Sequence, residues 1–436
     1  MRSIFVQIAS YRDPELVPTL RDCVAKAHHP DRLRFGICWQ KDADETLAEF
    51  GEDPHVRVFA VDWRDSQGAC WARHHVQTLY GGEDYTLQLD SHHRFVPGWD
   101  DLLVEMFHQT GAPKPILTAY APSFDPADDA SFVQEPWELC FDRFIPEGAV
   151  FIKPHSMVGW QAMERPMPGR FISAHFLFTL GQFCREVPYD PDYYFHGEEI
   201  SLSARAFTHG YDIFYPHRVV VWHEYTRKYR TKHWDDHVPG TVAIPWTQRN
   251  DATHRRNRIL FGMEPGDVDF GPYGFGSVRT LQDYERYAGL NFRLRLAQDY
   301  TIHNGLPPNP EVYATDAEWV ANCIRDHWTR IRVPLSLVDL SVDCDFWCIA
   351  VHNAEGDQLY REDIDAARVA FMVSLAGEEV EFAFRYRSTH AAASWTVWPH
   401  TRDGRWLTRI EAPLGHPGCR AQDHEESAGV SAPCTT

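Results

Sequence analysis

The first half of the chain alternates short apolar runs with helical segments. Ile4–Ala9, Leu33–Trp39, Val56–Val61 and Tyr85–Leu89 have the length and composition of buried strands. Between them, Pro14–Ala27 reads as a helix with Asp13 as its cap and Pro14 at its first position. Gln67–Tyr80 reads as a second helix, closed by Gly81-Gly82. Strands separated by helices imply βαβ units and an α/β fold with a mostly parallel sheet. Ligands of such sheets bind beyond the carboxyl ends of the strands. Asp90 directly follows the run Tyr85–Leu89, so it stands at such an end.

The middle of the chain continues with strand-like runs at Ile116–Tyr120, Ala149–Ile152 and Phe171–Thr179. Glu198–His209 is helical in pattern, with Ile200, Ala204 and Phe207 on one face and Gly210 at its close. Two short strands follow, Tyr211–Tyr215 and Val219–Trp222, and the second delivers His223 at its end. Residues 225–263 are polar, rich in arginine and weakly periodic, which predicts a long functional loop or lid. Residues 270–330 read as mostly helical. Past residue 332 the pattern turns to alternation, at Val333–Val342, Phe346–His352, Val369–Ser374 and Glu378–Tyr386, as in a β-sandwich. The expected organisation is a catalytic domain over 1–330, a smaller β-rich module over 331–412 and a disordered tail over 413–436.

Composition narrows the partners. With 436 residues, 44% of them hydrophobic, the chain can fill more than one core. A formal net charge of −20 repels nucleic acid and anionic lipid, so neither is an expected partner. An anionic substrate would need a local cation, such as a metal ion. No apolar stretch approaches bilayer length, and the first apolar run is too short for a signal peptide. Ten cysteines without framework spacing predict free thiols and a cytoplasmic location.

The candidate chemistry centres on Leu89-Asp90-Ser91-His92-His93, where a buried strand ends in one carboxylate and two imidazoles. A carboxylate and an imidazole two residues apart can face one cation across a turn. Mixed oxygen and nitrogen donors suit Mn²⁺ or a similar transition ion better than Ca²⁺ or Mg²⁺. The bland alternative is a polar loop at a strand end, and His93 is the alternative to His92. Further along, His196-Gly197-Glu198-Glu199 opens a helix, and Trp222-His223-Glu224-Tyr225 ends a strand. Acidic residues at a helix start complement its dipole. That accounts for Glu199 but not for the glycine before Glu198, which suits a close approach of backbone or ligand.

The array Asp90-Ser91-His92, Gly197-Glu198-Glu199-Ile200 and Val221-Trp222-His223 resembles GT-A glycosyltransferases of the polypeptide GalNAc-transferase type. A closer resemblance is to the protein-hydroxyproline N-acetylglucosaminyltransferases. It extends to Ile8-Ala9-Ser10-Tyr11-Arg12-Asp13, Cys70-Trp71-Ala72-Arg73 and Tyr273-Gly274-Phe275-Gly276, and covers roughly residues 1–295. His196 departs from the glycine usual at that place in the GalNAc-transferases. The resemblance implies a retaining transferase that moves GlcNAc or a related hexose from a UDP-sugar to a hydroxyl on a protein, peptide or small molecule. It implies Asp90, His92 and His223 as ligands of a Mn²⁺-type ion on the diphosphate. Ser10, Tyr11 and Arg12 would hold the base and ribose, and Arg73 would reach the nucleotide. Arg255, Arg256 and Arg258 would close over the diphosphate. Glu198, with Glu199 beside it, would lie near the donor sugar or acceptor; Trp160, Trp222 and Trp246 would be stacking platforms or simple packing. Two other classes fit the same residues: a metal-dependent phosphate or sugar-ester hydrolase, and a non-catalytic carbohydrate-binding protein.

Overall fold

The computed structural model describes residues 2–128, 130–310 and 313–414. They form two compact units that divide between residues 312 and 313, ahead of the boundary expected at 330. The expected disordered tail falls almost wholly outside the described residues.

The first unit is built on an eight-stranded sheet. Its strands are β1 (Ile4–Tyr11), β2 (Leu33–Lys41), β3 (Val56–Asp62), β4 (Tyr85–Asp90), β6 (Pro115–Thr118), β9 (Met167–Pro168), β10 (Phe176–Leu180) and β11 (Asp212–Tyr215). Two smaller pairs stand beside it: β5 (His93–Phe95) with β12 (Val221–His223), and β7 (Trp137–Phe144) with β8 (Val150–Ser156). The order of the large sheet is β3-β2-β1-β4-β10-β6-β11-β9. Its first four strands are mutually parallel. β10 inserts antiparallel between β4 and β6, and β9 closes the far edge antiparallel to β11. The expected α/β fold with a mostly parallel sheet is the observed one.

Burial explains why these runs are strands. β1 and β4 present almost no exposed residue on either face, and Ile8, Leu87 and Leu89 are fully buried. That is the signature of parallel strands covered by helices on both sides. Helices Leu16–Lys26 and Ala69–Thr78 make two of the crossovers between these strands. Parallel register sets Ala9 beside Asp90, so the ends of β1 and β4 open onto one edge.

Two segments differ from expectation. Within 225–263 the chain forms a 15-residue helix, Trp246–Leu260. Its buried positions are Thr253, His254 and Asn257 rather than apolar side chains. Thr253 Oγ1 accepts from the Tyr194 backbone, and Asn257 donates to Gly148 O. A polar buried face leaves no hydrophobic period to read. Residues 270–330 hold only short helices, the longest of them Leu281–Ala288.

The second unit is β-rich, as expected. Cys323–Pro334 pairs antiparallel with Glu379–Ser388. A four-stranded antiparallel sheet joins Gln358–Asp365, Cys344–His352, Ser394–Thr401 and Ile410–Pro413. Trp347, Ile349, Val380, Phe382, Trp395 and Val397 lie in one core between these strands. The run expected as a strand at Val369–Ser374 lies instead in a helix, Ala366–Leu375, capped by Asp365, whose carboxylate accepts from the Arg368 N–H.

Candidate active site

Asp90 is the last residue of β4, and Ser91 and His92 form the turn into β5. β12 pairs with β5 in a register that sets His223 opposite His93. The Glu224 N–H donates to His92 O, tying the two strand ends together. This local pairing brings His223 to Asp90 and His92 across 131 positions from His92. His92 Nε2 and His223 Nε2 lie 3.0 Å apart, and Asp90 Oδ2 is 3.7 Å from the first and 3.6 Å from the second. Both imidazoles are buried, whereas the Asp90 side chain is 26% exposed, so the cluster has one open side.

A carboxylate Asp13 Oδ2 lies 2.7 Å from His92 Nδ1 and also accepts from Ser91 Oγ at 2.6 Å. With its proton on Nδ1, His92 presents the Nε2 lone pair to Asp90 and His223. Carboxylate–imidazole pairs of this kind fix a ligand's tautomer and orientation. The sequence predicts Asp13 as a helix cap. The helix in fact begins at Leu16, and only the other Asp13 oxygen serves the backbone, accepting from Glu15 N at 2.9 Å. Asp13→Asn would put an amide N–H against His92 Nδ1 and favour the tautomer with its proton on Nε2. A loss of about 10–100-fold in divalent-cation affinity is the expected result, read by calorimetric Mn²⁺ titration.

Arg73 clamps the cluster from below. Its guanidinium donates to Asp90 Oδ1 at 2.7 Å and to Glu198, and the Cys70 thiol donates to the other Glu198 oxygen at 2.7 Å. Arg73 and Glu198 are buried. Burial pushes the Glu198 carboxyl up, and Arg73 opposes it. Burial also works against ionised Asp90, but Arg73 and the imidazoles outweigh it and hold that carboxyl well below the usual range. Burial pushes His223 well down, against the pull of Asp90, so its ring is neutral near pH 7. One carboxylate and two imidazole nitrogens make a donor set that fits a divalent transition ion.

Glu199 points elsewhere. It accepts from Ala174 N at 2.9 Å and from Tyr120 OH at 2.8 Å. Burial lifts its carboxyl from 4.5 to about 7, although both hydrogen bonds pull it down. The folded state therefore holds a proton between pH 4.5 and 7 that the unfolded chain releases, and stability falls as pH rises through that window. Glu199→Gln has no such titration. Its Tm relative to wild type should rise from pH 5 to pH 8, by at most on the order of 3 kcal/mol in stability; a constant difference across that range would contradict the assignment.

Other expected site residues have different surroundings. Ser10 is buried at the end of β1. Tyr11 OH donates to Asp236 at 2.9 Å, and its ring packs 4.1 Å from that of His233. Arg12 adopts φ 45° and divides its guanidinium between Asp42 and Asp236, over the Trp63 ring. Arg255 and Arg258 both pair with Glu264, and Arg256 pairs with Asp190, so none of the three reaches Asp90. Trp222 is packing: it is buried and donates to Val133 O. Gly197 has φ +88°, and a Cβ there would meet the Asn257 side chain at 3.1 Å. Backbone conformation and helix contact thus account for this glycine without a ligand.

The sequence alone assigns no individual role to Glu224, Arg227 or Arg230. Glu224 is fully buried and accepts from Thr226 Oγ1, Arg227 N and Arg230. This staple holds the Arg227 guanidinium against the Trp234 ring, within electrostatic reach of Asp90 and Tyr120. Its signal was the buried acid itself, a glutamate next to a candidate ligand and followed by two arginines.

The family model described as "Glycosyltransferase (GlcNAc)" matches residues 3–52 and 45–294, more than half of the chain and including every residue of this cluster. The chain belongs to that family. No curated protein matches the glycosyltransferase in sequence. Among solved structures it is similar to GalNAc-T7 with UDP, GalNAc and Mn²⁺, at TM-score 0.42 and 14% identity, over 65% of this chain and 54% of that one. It is also similar to S. aureus TarS 1-349 in complex with UDP, at TM-score 0.36 and 9% identity, over 52% of this chain and 61% of that one. The TarS complex with UDP-GlcNAc gives TM-score 0.35 and 11% identity, over 53% and 60%. The glycosyltransferase thus spans about half the length of GalNAc-T7. Among its described residues no helix is long and apolar enough to cross a membrane.

Proposed function

We propose that the glycosyltransferase is a GT-A enzyme that moves GlcNAc or a related hexose from a UDP-sugar to a hydroxyl acceptor on a protein or peptide, with retention at the anomeric carbon. The observation that carries this reading is the convergence of Asp90, His92 and His223 at the open end of β4 in a chain of this family. These three residues would hold a Mn²⁺-type ion, which when bound supplies Lewis-acid stabilisation to the departing diphosphate.

The remaining roles fall to the chain's own side chains. Asp13 orients His92, and Arg73 orients Asp90 while Glu198 balances its charge. Arg227 offers a cation toward the same opening, where a diphosphate would need one. The end of β1 at Ser10 and Tyr11, with Arg12 and His233, forms the wall proposed for the base and ribose. Glu198 and Glu199 are both engaged, by Arg73 and Cys70 and by Ala174 and Tyr120. Their engagement favours a front-face transfer in which the leaving phosphate takes the acceptor proton and no side-chain base is needed. Glu198 then acts as a positioning residue, through Arg73 on Asp90.

The test is a panel of UDP-sugars with Mn²⁺, scored for UDP release and for a glycosylated acceptor. UDP release abolished by excess chelator is expected. Full activity in chelator would overturn the metal assignment, and free sugar as the sole product under all acceptors would favour the hydrolase reading.

A further inference from the structure

A second set of metal-type donors lies outside this site, on the β7–β8 hairpin. We propose that Glu138, Cys140 and His155 form a binding site for a Zn²⁺-class ion. The site is independent of the sugar-transfer reading. Antiparallel register sets Glu138 opposite His155 and Cys140 opposite Lys153. Residues two apart on a strand share a face, and directly opposed residues have their Cβ atoms about 5 Å apart. All three donors therefore project from one face of the hairpin. One ligand atom from each lies within 4.8 Å of the others, and His155 Nδ1 is 3.0 Å from Glu138 Oε1.

The donor set is thiol, imidazole and carboxylate. Thiolate sulfur selects Zn²⁺ and related soft or borderline ions over Mg²⁺, Ca²⁺ and Mn²⁺. Cys140 is 4% exposed and the His155 side chain 46% exposed, so an ion there would sit at the boundary of the core with a path from solvent. Binding replaces the thiol proton, which leaves to solvent. One thiolate, one carboxylate and a neutral imidazole then balance a dication. Two cations stand nearby. Lys153 is exposed, and Arg170 is occupied by Ala288 O, Gly305 O and Asn309 Oδ1. Glu138, Cys140 and Asn304 line a common recess. Asn304 Oδ1 is buried in that recess without a hydrogen-bond partner.

Co²⁺ serves as the probe, because a thiolate–Co²⁺ charge-transfer band in the near ultraviolet reports sulfur ligation and is blind to the Asp90 cluster. Titration of the reduced full-length protein should develop this band to saturation. Cys140→Ser should abolish it, and His155→Ala, at an exposed position that folding does not need, should weaken binding by about tenfold or more. No band in the wild type, or an unchanged band in Cys140→Ser, would overturn the proposal. So would His155→Ala that binds as tightly as wild type.

Discussion

His223→Ala is expected to lower UDP-sugar turnover by at least about a hundredfold while leaving the fold intact. Removing even an outer-shell partner of a ligand costs about 10–100-fold, and the proposed site counts His223 among its three donors. It sits at the end of a three-residue strand and its ring packs at 4.3 Å on that of His175, so truncation opens a small void rather than unfolding a core. The loss should appear in both Mn²⁺ affinity and kcat/KM, and saturating Mn²⁺ should recover part of it. A variant with wild-type Mn²⁺ dependence would remove His223 from the account.

The largest effect on stability is expected from Arg73→Met. The guanidinium is buried and joins two carboxylates, Asp90 and Glu198. Without it, Glu198 remains buried with only the Cys70 thiol as partner. Breaking a buried pair by removing one partner costs about 3–5 kcal/mol, because the remaining charge is uncompensated. Tm should fall by several degrees. Glu198→Gln placed in the Arg73→Met background should restore most of that stability, since the stranded charge is gone. Strongly non-additive behaviour of this kind is diagnostic of a coupled pair. If Arg73→Met alone melts with the wild type, the clamp is not what holds this end of β4.

Much of the fold was legible because burial wrote it in apolar runs. β1, β2 and β4 are covered on both faces, and each stands out as a short hydrophobic stretch, while β3, at the sheet edge, is only half-buried. The helix Trp246–Leu260 was hidden because its buried face is polar, satisfied by Tyr194 and Gly148 rather than by oil. Ala366–Leu375 was misread for the opposite reason. Phe371 and Leu375 are exposed, so apolar residues ring the helix and no stripe marks its buried side.

The site divides in the same way. Asp90 and His223 each end a strand and His92 lies in the turn after one, and strand ends can be read locally. Their meeting depends on the β5–β12 register, and nothing in His93-Arg94-Phe95 marks it as the partner of Val221–His223. Asp13 looked like a cap because an acid before a helix usually is one. The Glu198–Arg73–Asp90 chain spans 125 positions, and nothing local announces it. Arg255 and Arg258 looked like a lid because no sequence feature revealed Glu264 as their shared partner.

The most direct test of the central claim is anomalous diffraction from crystals grown with Mn²⁺ and UDP. The account predicts a single strong manganese peak in bonding contact with Asp90, His92 Nε2 and His223 Nε2, with diphosphate oxygens completing its shell. Density for UDP at the ends of β1 and β4 with no manganese at these three residues would contradict it.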